Sequence, residues 1–101
     1  MSLCQLMENS RMAMNVISSN IANLNTTRTH DGSPYKRKEF VCENQTCKAL
    51  EESKFVLKYL PDHPDADENG YVSFPDIDSL KEMEIMIQAS REYEKAKKEC
   101  I

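Results

Sequence analysis

The chain has 101 residues, which suits one small domain near the lower size limit for burying a useful core. Its formal net charge of −4 at pH 7 excludes a general nucleic-acid-binding protein, because such proteins need surplus positive charge to contact phosphates. No apolar run is long enough to cross a bilayer, and the first residues lack the basic start and continuous apolar core of a cleavable signal peptide.

The first predicted element is a helix at the N-terminus. Its apolar residues recur at alternating steps of four and three, the heptad spacing of a helix that packs lengthwise on another helix. The members are Leu3, Met7, Ser10, Met14, Ile17, Ile21 and Leu24, of which Ser10 alone is polar. Packing within one domain and a coiled-coil contact in an assembly both fit this pattern. Asn25, Thr26 and Thr27 are expected to end the helix.

A small β-region is predicted next, after a turn at residues 30–34 that contains Gly and Pro. Three segments have the alternation expected of short strands: residues 35–41, 54–60 and 71–74. The polar segment 42–53 is expected to be a loop, or to contain a short helix through Thr46–Glu52. Residues 61–70 are rich in Pro and Asp and are expected to form a turn.

The last predicted element is a second helix. Ser79 and Glu82 have the spacing of a capping box, and Asp78 is the alternative N-cap. A stripe of mainly apolar residues follows at helical spacing. Its members are Leu80, Met83, Met86, Ile87, Ser90, Tyr93 and Ala96.

These elements predict a mainly α protein with a small β-region. The long N-terminal and C-terminal helices are expected to pack as a coiled-coil-like pair or bundle, with short antiparallel strands between them. We divide the chain into an N-terminal helix segment 1–29, a central β-containing region 30–76 and a C-terminal helix 77–101, which together form one structural unit.

Four cysteines allow three disulfide pairings, and free thiols are the simplest alternative. If the two helices pack antiparallel, the chain ends meet and Cys4 lies close to Cys100. Cys42 and Cys47 have the wrong spacing for a zinc knuckle, because tetrahedral zinc needs closely spaced pairs of ligands. We therefore expect no structural metal.

Residues 65–76 match the spacing of an EF-hand calcium loop, with Asp65, Asp67 and Asn69 as the first ligands, Gly70 at the turn and Asp76 in the closing position. However, Asp76 is shorter than the usual closing Glu, and prolines stand where both flanking helices should be. We expect an acidic turn whose side chains hydrogen-bond local backbone, with no cofactor. A calcium-binding module remains the alternative.

Catalysis is not predicted. His63 lies near Asp62 and Asp65, as a general base with orienting carboxylates would, but a histidine between two prolines in a turn is usually solvated. No serine or cysteine is placed beside it in sequence as a nucleophile, and the chain has no glycine-rich phosphate loop. We expect a protein that is not an enzyme.

Four segments resemble the axial proteins of the bacterial flagellum. Residues 19–29 (SNIANLNTTRT) are similar to the N-terminal signature of flagellar rod and hook proteins. Residues 32–38 (GSPYKRK) narrow the resemblance to the C-type (FlgC) family of proximal rod proteins. Residues 63–72 and 85–94 resemble that family's internal signature and its C-terminal helix. The segments occur in the family's order and cover much of the chain.

The resemblance implies a structural subunit of the proximal rod of the flagellar basal body, which self-assembles through its terminal helices and transmits torque in motility. Its implied partners are copies of itself, other flagellar rod proteins and the flagellar type III export apparatus, with no nucleic acid and no direct membrane insertion. It also implies a periplasmic rod location, reached without a cleavable signal peptide. The segment between Val41 and Ser53 is short for this family, so the chain resembles a form shortened in the middle.

On this resemblance, the residues expected to carry assembly lie on both terminal helices. The apolar ones are Ile17, Ile21, Leu24, Leu80, Met83, Ile87 and Tyr93. The amides Asn20, Asn23 and Asn25 are expected to supply hydrogen bonds at helix–helix contacts.

Overall fold

A computed structural model describes residues 2–44 and 46–100. Met1, Gln45 and Ile101, which fall in the predicted segments 1–29, 42–53 and 77–101, lie outside the described residues. The elements in chain order are α1 (Leu3–Ala22), β1 (Arg37–Glu43), β2 (Thr46–Glu52), β3 (Phe55–Tyr59), β4 (Tyr71–Pro75) and α2 (Ser79–Glu99). The molecule is elongated and measures 57 × 24 × 18 Å. The predicted fold class is confirmed: two terminal helices pack on each other, and short antiparallel strands lie between them.

Short polar side chains begin both helices. The Ser2 hydroxyl accepts a hydrogen bond from the backbone N–H of Gln5 at 3.1 Å. Asp78 precedes α2, and its carboxylate accepts from the N–H groups of Leu80 and Lys81. Each cap satisfies donors that have no partner within the helix. Of the two predicted caps for α2, Asp78 is the one in use.

The first helix ends at Ala22, three residues earlier than Asn25. The side chain of Asn23 causes this, because its Nδ2 donates to the carbonyl of Ser19 at 2.8 Å and its Oδ1 accepts from the Thr26 hydroxyl at 2.9 Å. The amide thus occupies a terminal carbonyl of the helix and stabilises the turn that follows.

The helices run antiparallel, because Cys4 is disulfide-bonded to Cys100 while Asn20 contacts Glu82 at the opposite end. The buried positions of α2 recur every seven residues, as expected for lengthwise packing. They are Glu82, Ala89 and Ala96, and they face the buried residues Asn9, Ser10, Ile17 and Asn20 of α1. The fully buried positions of the two helices are therefore small or polar, apart from Ile17.

The predicted stripe on α2 differs from the face that the structure buries. Leu80, Met83 and Ile87 are 72%, 48% and 52% exposed, whereas Ala96 of the same stripe is buried. The apolar pattern did not identify the buried face, because a glutamate and two alanines occupy the inner positions. Of the larger predicted side chains, Met86 and Tyr93 are half-buried.

The first hairpin corrects the prediction for Thr46–Glu52, which is strand β2 and neither a loop nor a helix. It pairs antiparallel with β1, from Arg37 opposite Glu52 to Glu43 opposite Thr46, so only two residues connect the strands. Asn44 has a φ of 50° in this turn, a conformation that asparagine tolerates. Pairing with β1 overrides the weak strand preference of this polar segment.

The second hairpin packs one face inward. Val72 and Phe74 on β4 are buried, and their cross-strand partners are Lys58 and Val56. The Lys58 ammonium lies 4.6 Å from the centre of the Phe74 ring, a cation–π contact. The strand itself is as predicted, but all five of its residues are exposed. Val56 and Lys58 lie on the face of Val72 and Phe74, so the more apolar face of Phe55, Leu57 and Tyr59 is the one turned away from the core.

Gly70 connects the acidic turn to β4 with a φ of +88°, and a Cβ there would lie 2.7 Å from Cε1 of Tyr59. Gly32 has a similar φ of +84° with no atom within 4 Å of that position. We expect Gly32→Ala to cost about 1–2 kcal/mol, from backbone strain alone. Gly70→Ala is expected to cost more, because the Tyr59 ring must also move. Urea unfolding of both variants measures the difference, and equal losses would contradict this account.

Candidate functional site

Both helices meet the β-region through a cluster of polar side chains at the end away from the chain termini. We call this cluster, formed by Asn20, Tyr35, Arg37, Glu52 and Glu82, the polar junction. It joins α1, α2 and both strands of the first hairpin. Its geometry decides how the helices are rotated and therefore which residues they expose.

Asn20 is the centre of the polar junction and is fully buried, with 0% of its surface exposed. Its Nδ2 donates to the carbonyl of Lys38 at 2.8 Å, and its Oδ1 accepts from the N–H of Lys38 at 2.9 Å. The amide thus pairs with the β1 backbone as a neighbouring peptide group would. The hydroxyl of Tyr35 also donates to Oδ1 at 2.8 Å.

Glu82 supplies a buried charge, with 1% of its surface exposed. Its carboxylate accepts from Nε of Arg37, and its other oxygen lies 3.5 Å from Nδ2 of Asn20. Nη1 of Arg37 also contacts Glu52 at 3.2 Å. Burial alone lowers the pKa of the Arg37 guanidinium, but the hydrogen bond and charge of Glu82 and the charge of Glu52 raise it above its ordinary value.

Every buried side-chain nitrogen or oxygen in the described residues has a hydrogen-bond partner. Such satisfaction is required because an unpaired buried polar group costs about 1–3 kcal/mol. A satisfied network of this kind admits few other arrangements of its members. The polar junction therefore determines one rotation of α1 and α2 about their axes.

Sequence reasoning missed four members of this cluster: Tyr35, Arg37, Glu52 and Glu82. Glu82 was interpreted as a capping residue because it stands three positions after Ser79. The spacing of Glu82, Ala89 and Ala96 by seven residues was the signal that could have identified the inner face of α2.

The predicted assembly residues divide into three groups by burial. Ile17 and Asn20 are buried inside the subunit. Those that are half-buried are Ile21, Asn23, Leu24 and Tyr93, and those that are exposed are Asn25, Leu80, Met83 and Ile87.

Leu80, Met83 and Ile87 lie together on the outer side of α2, and we call them the outer stripe. Their steps of three and four residues are the spacing of a helix-packing seam. The stripe spans eight residues, and its ends are about 10 Å apart along the helix. An apolar face at this spacing is expected to pack against another surface.

The acidic turn uses its carboxylates for contacts within the chain. Asp65 accepts from the Thr27 hydroxyl and contacts Nη2 of Arg28, both at 2.6 Å, so the turn is joined to the segment that follows α1. Asp67 Oδ1 accepts from the N–H groups of Asn69 and Tyr71, each at 2.9 Å. These are the local hydrogen bonds expected of an acidic turn.

The calcium alternative is not supported by this geometry. The residues after Gly70 form strand β4, where an EF-hand would lead into a helix. Asp76 follows β4, and its N–H donates to the carbonyl of Lys54. Within residues 2–44 and 46–100, no three His, Cys, Asp or Glu side chains are grouped so that they could hold a metal ion.

His63 has a structural position in the same turn. Its Nδ1 accepts from the N–H of Asp65 at 3.0 Å, and its ring meets Phe74 edge-on with centres 6.2 Å apart. The imidazole thus packs against the core of the second hairpin.

Neither helix, over the part of the chain that the structure describes, is long and apolar enough to cross a membrane.

Comparison with known proteins points to one family. Residues 7–28 match the family described as "Flagella basal body rod protein". The chain is 34% identical to the flagellar basal-body rod protein FlgC of Borreliella burgdorferi, in an alignment covering 83% of this chain and 74% of the relative. It is 38% identical to FlgC of Aquifex aeolicus, with 83% and 71% covered. It is 33% identical to FlgC of Bacillus subtilis, with 83% and 75% covered.

The first of these alignments also bears on the length of the chain. It extends over 113 residues, more than the 101 residues of this protein, so the relative has residues without a counterpart here.

We expect Glu82→Ala to lower the free energy of unfolding by about 3 kcal/mol, because it leaves the Arg37 guanidinium without its buried partner. Glu84→Ala, which removes an exposed glutamate from the same helix, is the matched control and should change stability by less than about 0.5 kcal/mol. Urea unfolding at neutral pH measures both. Equal effects for the two variants would show that the polar junction does not stabilise the fold.

The contacts of Asp65 predict that the stability of the protein falls in acid. The Thr27 hydrogen bond and the charges of Arg28 and His63 lower the pKa of Asp65 below its ordinary value. A carboxyl whose pKa is lowered by folding stabilises the protein above its unfolded-state pKa of about 4, and that contribution is lost as pH falls through the folded-state pKa.

In Asp65→Asn we therefore expect lower stability at pH 6 and a smaller further loss between pH 6 and pH 2 than in the wild type. Urea unfolding across this pH range is the measurement, and Asp62→Asn in the same turn is the control. A variant that loses stability with acid as steeply as the wild type would refute the assignment.

Proposed function

Since the chain belongs to the FlgC family of flagellar basal-body rod proteins, we propose that it is a structural subunit of the proximal rod that assembles through its terminal helices. The observation that carries this proposal is the identity of 31–38% with FlgC proteins over about four fifths of the chain. The two-helix architecture supports it, because the helices pack on each other and α2 carries an uncovered apolar stripe.

The outer stripe is the surface that we assign to contacts with neighbouring subunits. Its three side chains are large, apolar and about half exposed or more, while the buried face of the same helix is already occupied by α1. Burying an exposed Leu, Ile or Met side chain contributes about 1.5–3 kcal/mol, which is enough to drive a repeated contact. Neighbours in this proposal are copies of the chain and other rod proteins.

The buried assembly residues have a different role in this proposal. Ile17 and Asn20 fix the helix pair within one subunit, and they act on assembly only by positioning the outer stripe. Leu24 and Asn25 lie beyond the end of α1, where a neighbour could contact them at the entrance to the β-region. The hydrogen bonds of Asn20 are made to residues of the same subunit, so we assign it a positioning role.

The proposed subunit transmits torque passively. Two disulfides and the polar junction connect the helices and the first hairpin, so force applied at one element is passed to the others. Export by the flagellar type III apparatus without a cleavable signal, and a periplasmic rod location, complete the proposal. Basal-body rod proteins are structural components, and we assign the chain no catalytic residue.

We expect Ile87→Asp to abolish incorporation into basal bodies, because a charge in the outer stripe would be buried without a partner at the subunit contact. Gln88→Asp places the same charge at the next exposed position and is the matched control. The measurement is the amount of each variant in isolated basal bodies, together with swimming motility. Circular dichroism verifies that both variants keep the helix pair. Normal incorporation of folded Ile87→Asp would overturn the assignment of this surface.

A further inference from the structure

The helix pair is supported unevenly along its length. The hydrogen bonds that join it to the strands come from Ser19, Asn20 and Glu82, which lie where α1 ends and α2 begins. The opposite part, residues 3–10 of α1 and 89–99 of α2, is called the distal half here. Its ends are connected by the disulfide between Cys4 and Cys100, whose Cα atoms are 4.8 Å apart.

In the distal half, the larger apolar side chains Met7 and Tyr93 are only half-buried. Its buried side chains are Asn9, Ser10, Ala89 and Ala96, all of them small or polar. Hydrophobic stabilisation scales with the apolar area removed from water, so this contact is weaker than one built from leucines. Covalent connection therefore matters more here than near the polar junction.

We propose that the Cys4–Cys100 disulfide is a redox-dependent latch that holds the distal half of the helix pair closed. When the bond is formed, α1 and α2 remain paired to their ends. When it is reduced, the distal halves separate locally while the polar junction keeps the rest of the pair together. Both cysteines are half-buried, so small thiols and disulfides can reach them.

The chemistry requires a disulfide oxidant, which we take to be a low-molecular-weight or protein disulfide. The thiolate of one cysteine attacks that disulfide, forming a mixed disulfide and releasing one thiol. The second cysteine then attacks the mixed disulfide, which forms the Cys4–Cys100 bond and releases the second thiol. Two cysteine thiols are oxidised and one external disulfide is reduced to two thiols. Reduction reverses both steps.

The second disulfide provides an internal contrast. Cys4 and Cys100 are separated by 96 residues, whereas Cys42 and Cys47 are separated by 5 and face each other in a hairpin that backbone hydrogen bonds already close. The first bond joins α1 to the end of α2, whereas the second lies within the hairpin of β1 and β2. Opening and closing of the helix pair should therefore depend on the first bond and not on the second.

The consequence for assembly rests on the proposed rod function. A closed pair holds the distal half in one shape, which reduces the conformational entropy lost when a neighbour binds there. An oxidising compartment would thus favour the binding-ready subunit, and a reducing compartment would keep its ends open.

Hydrogen exchange of the full-length oxidised chain, with and without tris(2-carboxyethyl)phosphine, tests the latch directly. On reduction, amides of the distal half should exchange about thirtyfold faster or more, the lower end of what loss of a structural disulfide causes. Amides of residues 17–22 and 79–86 should change much less. Cys4→Ser/Cys100→Ser should match the reduced wild type, and Cys42→Ser/Cys47→Ser should match the oxidised wild type.

Unchanged exchange in the distal half after reduction would overturn the proposal. Uniform acceleration over the whole chain would also overturn it, because the bond would then support the entire fold. So would free thiols at Cys4 and Cys100 after treatment with glutathione disulfide. These measurements use the isolated chain, so their outcome does not depend on whether the chain enters the rod. Loss of incorporation in Ile87→Asp tests that function separately, in a variant that retains both cysteines.

Discussion

The buried contact of Asn20 and Arg37 with Glu82 is the constraint on which the rest of this small structure depends. The Asn20 amide pairs with the backbone of β1, and the Glu82 carboxylate accepts a hydrogen bond from the guanidinium of Arg37 on the same strand. A buried ion pair often adds little stability over a well-packed apolar substitute, but its members cannot be rotated out of contact without a large penalty. Its effect is therefore to select a single orientation of the helices.

That orientation explains the unusual distribution of side chains along the helix pair. Because Glu82 must point inward, the positions seven and fourteen residues later point inward as well, and both are alanines. Leu80, Met83 and Ile87 are consequently directed outward. In a protein that functions alone this would leave an apolar stripe in water. In the rod subunit that we propose, the stripe is the surface for the next subunit.

The sequence predicted the elements better than their contacts. The heptad spacing of α1 and the alternation of β3 are local patterns, and they predicted both elements correctly. The strand at Thr46–Glu52 was missed because its residues are polar and its stability comes from pairing with β1 across a two-residue turn. The early end of α1 depends on one side chain, Asn23, which reaches back to the helix.

The polar junction could not be predicted from local sequence patterns either, because it too depends on contacts between distant residues. Its members are up to 62 residues apart in sequence. A search for regularly spaced apolar residues also does not identify a glutamate as a buried position. The calcium-loop spacing, in contrast, was discounted from its flanking prolines, and the structure has strand β4 where an EF-hand leads into its second helix. The structure adds the reason in atomic terms, since Asp65 and Asp67 are occupied by contacts within the chain.

The central claim is that the polar junction turns the outer stripe toward neighbouring subunits. Site-specific photo-crosslinking tests it most directly, with a photoreactive amino acid placed at Ile87 and the chain recovered from isolated basal bodies. The account predicts covalent adducts between this position and another rod subunit after irradiation, and none from the same position in the isolated monomer. Basal bodies that contain the labelled chain but give no adduct to another subunit would contradict it.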